Sequence, residues 1–201
     1  MGVRTQKAVQ AERTRKKLLR AARRLFADHG YADTSAEDIA ERAGVTRGTL
    51  YYHFRDKREL FQSLCEELES ECTERITRAV LSAGPVEAQA RQATRAALDA
   101  FLEPTYSRVV VREGPVALGW AAWHEIMSRF SRQQLRLLMQ VAMDQGLIRK
   151  HPPEALAAVV VGAVNEAGIA ISAATHPKRT RDEFEEVISA MLDALLFGRA
   201  G

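Results

Sequence analysis

The chain has 201 residues, 27% charged and 46% hydrophobic, a balance that supports a packed core and excludes a low-complexity or wholly disordered protein. Its net charge of +3 hides an asymmetry: residues 1–58 hold 14 Lys/Arg against 7 Asp/Glu, and residues 59–201 hold 15 against 19. A basic front quarter joined to an acidic remainder predicts an anionic partner for the front, either nucleic acid or an anionic membrane surface.

In chain order, glycine and proline punctuate at Gly30, Gly44, Gly84-Pro85, Gly114-Pro115, Gly146, Pro152-Pro153 and Pro177. No segment alternates as a strand does, so the expected fold is all-α, with about nine to ten helices. No apolar leader follows Met1, which fits a cytoplasmic protein. The first helix, about 8–29, sets Leu18, Leu19, Ala22, Leu25 and Phe26 at three- and four-residue spacing, and Gly30 suits its left-handed cap. Thr34 and Glu37 read as a capping box that opens a short helix running to about Ala43. A second short helix, about 47–53, follows a turn holding Gly44 and Val45. A longer helix starts behind Asp56, with Leu60, Phe61, Leu64, Leu68 and Ile76 on one side. Cys65 and Cys72 lie on it roughly 10 Å apart, too far for a disulfide, and read as small core residues. The remainder predicts helices at about 86–103, 105–112, 115–129, 130–146, 153–174 and 180–198.

Two short helices over 36–43 and 47–53, joined by a tight glycine turn, form a helix-turn-helix, whose second helix enters the DNA major groove. Ala40 is small enough for a close crossing, and Ile39, Val45 and Leu50 are the apolar residues that would pack the pair onto the first helix. On that geometry Thr34 and Ser35 offer hydroxyls and helix-start N–H groups to phosphate. Thr46, Arg47, Gly48 and Thr49 form the first turn of the reading helix. There Arg47 can pair with guanine, and Gly48 permits close approach. Tyr51 would meet a thymine methyl or a phosphate. Tyr52 and His53 would meet the flanking backbone, and Lys57 a phosphate. Phe54 reads as core. Arg4, Lys7, Arg13, Arg15, Lys16 and Lys17 are either a solvated face or a phosphate-touching arm.

The run LFADHGYADTSAEDIAERAGVTRGTLYYHFRDKRELF, with its G-Y-x-x-T-S, D-I-A, A-G-V and L-Y-x-H-F-x-x-K elements, resembles the tetracycline-repressor (TetR) family of bacterial transcription regulators over about residues 14–61. In that family the positions matching Thr46 to Thr49, Tyr51, Tyr52, His53 and Lys57 commonly touch DNA. The resemblance also implies a dimer built from the last two helices of each subunit as a four-helix bundle.

Residues 1–58 are therefore read as a DNA-binding domain, and 59–201 as a ligand-sensing and dimerisation domain. Small Gly162 on the penultimate helix, and Phe184, Val187, Ile188, Met191 and Leu195 on the last, are the expected interface. Between them, Phe101, Tyr106, Trp120, Trp123, His124 and Met127 would line an apolar effector pocket, although the same spacing also suits plain core. Asn165 and Glu166 interrupt an apolar run, 155–174, that is long enough to span a membrane. An acid at its centre argues for a helix buried in protein, and the two polar residues would bond a neighbour, the effector or the partner subunit. No phosphate loop, metal-ligand cluster or catalytic triad is recognisable, so no cofactor, metal or enzyme activity is expected. The expected function is a ligand-responsive repressor that binds a palindromic double-stranded operator as a homodimer and is released by a small apolar or amphipathic effector. The rival reading is a helical interaction or scaffold module whose basic head binds an acidic partner or a membrane.

Overall fold

The computed structural model describes residues 6–198, apart from the side chains of Phe130 and Phe197, and among these residues every regular element is helical. Arg4 lies outside the described residues. The order is α1 (Gln6–His29), α2 (Ala36–Ala43), α3 (Arg47–His53), α4 (Lys57–Leu81), α5 (Val86–Ala100) and α6 (Pro104–Tyr106), which runs into a π-helical segment, Ser107–Glu113. Then come α7 (Gly114–Leu118), α8 (Trp120–Asp144), α9 (Pro153–Ala173) and α10 (Pro177–Leu192), closed by a π turn, Asp193–Phe197.

Helices α1 to α3 and the first turns of α4 form the head. The α1 stripe of Leu18, Leu19, Ala22 and Phe26 is buried together with Ile39, Ala40, Leu50, Phe54, Leu60, Phe61 and Leu64. Phe26 meets Phe61 edge-on with ring centroids 5.0 Å apart, and Tyr31 meets Phe61 at 4.9 Å. Such edge contacts add to the gain from burying the rings. Arg15 lies over the Phe54 ring at 4.9 Å, which ties the basic face of α1 to this core.

Local chemistry sets the helix ends, in one case a residue away from the expected place. Ser35, not Thr34, caps α2: its hydroxyl accepts from the Asp38 N–H at 3.0 Å, and the Asp38 carboxylate accepts from the Ser35 N–H at 2.9 Å. Thr34 is buried instead, and its hydroxyl donates to the Gly30 carbonyl at 2.7 Å. The expected break at 129–130 is absent, because no residue there interrupts the ladder. The chain breaks at Gly119, whose φ of +78° with ψ of 153° is a conformation side chains resist, and α8 then runs unbroken for 25 residues. Helix α10 begins at Pro177 rather than near 180, since proline is tolerated in a first turn.

In the body, α4 packs on α5 and α8, and α9 lies against α8, α10 and the π segment. Helix α9 is long and apolar enough to cross a membrane, yet Leu156, Ala157, Val160, Val161, Ala167, Gly168 and Ile171 are buried within the body. Gly168 is required by contact, because the Phe101 ring occupies the space a Cβ would take.

Candidate nucleic-acid interface

The turn between α2 and α3 is closed by two backbone bonds at 3.0 Å, Gly44 N–H to the Glu41 carbonyl and Val45 N–H to the Ala40 carbonyl. Thr46 caps α3, its Oγ1 accepting from the Thr49 N–H at 3.2 Å and lying 2.9 Å from the Thr49 hydroxyl. Leu50 is the buried anchor of this helix. The outward surface carries Thr46, Arg47, Gly48, Tyr51 and Tyr52, while Thr49 and His53 are half-buried. Tyr52 is 78% exposed, with only an edge contact to His53 at 5.1 Å, so the core has no use for its ring. The Arg47 guanidinium pairs with Glu37 at 2.6 Å and lies 5.4 Å from the Tyr51 ring centroid. This surface combines donors, a cation and stackable rings on one short helix.

Three residues expected at phosphates are otherwise engaged. Thr34 is buried as described, and the Ser35 hydroxyl caps α2. Lys57 directs its ammonium inward, donating to the carbonyls of Tyr31 at 2.8 Å and Thr34 at 2.9 Å, over the Tyr31 ring. It fastens the α1–α2 loop to the start of α4. Two cap carboxyls sit below their ordinary range: Asp38, through the Ser35 hydroxyl and N–H, and Asp56, through the Glu59 N–H.

The head is also fastened to the body, by contacts 60 to 82 residues apart in sequence, which no local pattern announces. Arg108, in the π segment, donates to the carbonyls of Ala27 at 2.9 Å and Asp28 at 3.0 Å, capping the end of α1. Glu113, from the same segment, accepts the Tyr31 N–H at 2.5 Å and lies 3.5 Å from Arg108. Arg58 donates to the Leu118 carbonyl at 2.6 Å. Gly30 has a φ of +88° at this junction, a conformation side chains rarely adopt, and a Cβ there would push the Glu113 carboxylate aside.

The residues expected to line an effector pocket divide between core and surface. Phe101, Tyr106, Trp123 and Met127 are buried. The Trp123 indole donates to the Val110 carbonyl at 2.7 Å, and the Tyr106 hydroxyl donates to Glu69. Trp120 is not a wall: it is 62% exposed at the free end of α8, against Trp123 and half-buried His124. Glu166 is exposed and Asn165 half-buried, so neither is buried among apolar groups. Sequence reading missed Glu69, a buried acid whose pKa burial pushes up to about 7 against the hydrogen bonds from Tyr106 and Ser131. Burial likewise pushes the Cys72 thiol up to about 11 and raises that of Cys65, consistent with packing residues. Two open cavities lie elsewhere. One, of about 610 Å³, is lined by Tyr31, Ala32, Arg108, Arg112, Glu113, Val116 and Ala117. The other, of about 440 Å³, lies along α4 beside Gln134 of α8.

On the outer face of α9 and α10, Val159, Gly162 and Val187 are exposed and Phe184, Met191 and Leu195 half-buried. Ile188 departs from the expected interface, being 3% exposed within its own subunit's core.

Residues 18–64 match the family model for bacterial regulatory proteins of the tetR family, and residues 86–195 match that for tetracyclin repressor-like C-terminal domains. The chain belongs to the TetR family. A TetR-family transcriptional regulator from Pectobacterium atrosepticum, known from its crystal structure, is 31% identical, with a TM-score of 0.85 over 96% of this chain and 98% of that one. The transcriptional regulator AcrR of Shigella flexneri is 48% identical over 61 residues, which is 30% of this chain and only 28% of AcrR. SmeT, solved as a complex with triclosan, shares the TetR fold at 21% identity, with a TM-score of 0.65 over 90% of each chain. The first TetR match ends within α4 and the second begins at α5, so α4 carries the chain from one to the other.

Proposed function

We propose that this TetR-family protein is a ligand-responsive transcriptional repressor that binds palindromic double-stranded operator DNA as a homodimer and is released by a small apolar or amphipathic effector. The observation that carries this reading is the exposed surface of α3. Thr46, Arg47, Gly48, Tyr51 and Tyr52 stand free of the core on a helix whose only buried side chain is Leu50. A helix so presented fits the major groove, where Arg47 would read guanine and the tyrosines would meet thymine methyls and phosphates. Residues 1–58 would act as the reading domain, working in the cytoplasm, and 59–201 as the sensing and dimerising domain. Lys7, Arg13, Lys16 and Lys17 on α1 would add phosphate affinity that depends on salt.

Two heads on one operator need a fixed spacing, about one helical turn of DNA or a multiple. The outer face of α9 and α10, with Val159, Gly162 and Val187 exposed, would join the subunits. An effector would enter among Phe101, Tyr106, Trp123 and Met127, which are all buried here, and would favour a form with wrongly spaced heads. The junction formed by Arg108, Glu113 and Arg58 is the physical connection through which body and head would move together. The triclosan complex of SmeT supports a small, largely apolar effector for this fold.

The test is fluorescence anisotropy of the purified protein against DNA fragments flanking its own gene, with competitor DNA and a salt series. The expected result is tight binding to one palindromic fragment, two subunits per site, resistant to competitor. Equal, weak binding to every fragment, vanishing at moderate salt, would overturn the reading and leave a basic patch of the kind a scaffold module would carry.

A further inference from the structure

We propose that the cleft between head and body is a second ligand site, distinct from any effector pocket in the core, and that it takes a small amphipathic carboxylate. Its volume of about 610 Å³ falls within the range of small-molecule sites. Its polar side holds two guanidinium groups. Arg108 is already divided between two carbonyls of α1 and the carboxylate of Glu113. Arg112 is exposed and has no hydrogen-bond or ion-pair partner among the described residues. Its apolar side holds Val116, 86% exposed, together with Ala117 and Ala32. An exposed valine beside an unpaired arginine is an amphipathic receptor surface.

The side chain of Glu113 indicates which anion fits. Its carboxylate already sits in this cleft, accepting the Tyr31 N–H and facing Arg108. A ligand carboxylate would pair first with Arg112, lay its tail over Val116 and Ala117, and then compete with Glu113 for Arg108 and Tyr31. Planar carboxylates suit arginine's forked donors, which is why the class is a carboxylate rather than a neutral alcohol. Occupancy would draw Glu113 off the α1–α2 loop, so the ligand would loosen the head at its attachment and not through the core.

The probe is octanoate, titrated by calorimetry into the full chain in the absence of DNA, with octan-1-ol as the uncharged comparison. Octanoate is expected to bind at least about tenfold more tightly than octan-1-ol, and Arg112→Gln to weaken octanoate by about tenfold, the loss of one charge-assisted contact. Arg112 has no partner to lose, so its replacement leaves the fold intact. Glu113→Gln removes the competing charge and is expected to tighten octanoate severalfold. Arg78→Gln, an exposed arginine on α4 outside the cleft, should change nothing. Absence of binding, equal binding of octan-1-ol, or unchanged affinity in Arg112→Gln would each overturn the site. Because no DNA is present, such a failure leaves the operator reading standing.

Discussion

Arg47 stands between two partners. Its ion pair with Glu37, at 2.6 Å, joins side chains that are 64% and 52% exposed, and pairs so hydrated contribute about 1 kcal/mol or less. Leaving Glu37 for a guanine edge therefore costs little, and a bidentate base contact is worth about 1–3 kcal/mol of discrimination. Arg47→Ala is expected to abolish preference for the operator over competitor while weak binding to any duplex survives; retained preference in competition anisotropy would mean that another residue reads the bases. Glu69 carries a different prediction. The folded chain holds its proton up to about pH 7, whereas the unfolded chain releases it near 4.5. The contribution of Glu69 to stability is thus least favourable above pH 7 and improves as pH falls through 7 toward 4.5. At roughly 1.4 kcal/mol per pKa unit the gain from pH 8 to pH 5 is about 2–3 kcal/mol. Glu69→Gln should be the more stable protein at pH 8 and should lose that pH slope, as read from urea midpoints at the two pH values.

At the scale of elements, the π segment and the start of α8 depend on each other. Pro115 has no N–H to offer the Val110 carbonyl five residues before it, and the Trp123 indole supplies the donor at 2.7 Å. Trp123→Phe keeps an aromatic ring but removes the buried indole donor to that carbonyl, an expected loss of about 1 kcal/mol. It should appear as a lower urea midpoint with unchanged slope. A pairing of this kind joins residues 13 positions apart and leaves no mark in helical spacing, which is why the segment was not legible in the sequence. Helices α2 and α3 were legible, because their limits are written locally by a glycine turn, caps and one buried leucine. The same local view does not reveal the partners that Lys57 has within the chain. A lysine at a helix start looks alike whether it meets a phosphate or two carbonyls 23 and 26 residues back. Trp120 shares a predicted face with Trp123 and Met127, but the break at Gly119 puts it at the start of α8, where contacts with Trp123 and His124 leave it 62% exposed.

For the whole molecule, the prediction concerns assembly. One head touches only a short stretch of duplex, so tight operator binding needs two heads held at a fixed spacing. The outer face of α9 and α10 suits that task. Val187 is 67% exposed and Val159 54%, Gly162 is exposed three residues beyond Val159 on α9, and Phe184, Met191 and Leu195 on α10 are half-buried. An isolated subunit gains nothing from leaving valines in water, whereas a second copy would remove that area from solvent. Val187→Glu places a carboxylate where it would have to be buried unpaired in the proposed dimer, a cost the monomer does not meet because the position is solvated there. Sedimentation is therefore expected to show a monomer at micromolar concentration, with helical content unchanged and operator affinity lost. Nonspecific, salt-sensitive binding by each head should persist. If Val187→Glu remains dimeric, the subunits meet elsewhere, and the next surface to test is the exposed strip on α8 formed by Leu137, Leu138 and Val141.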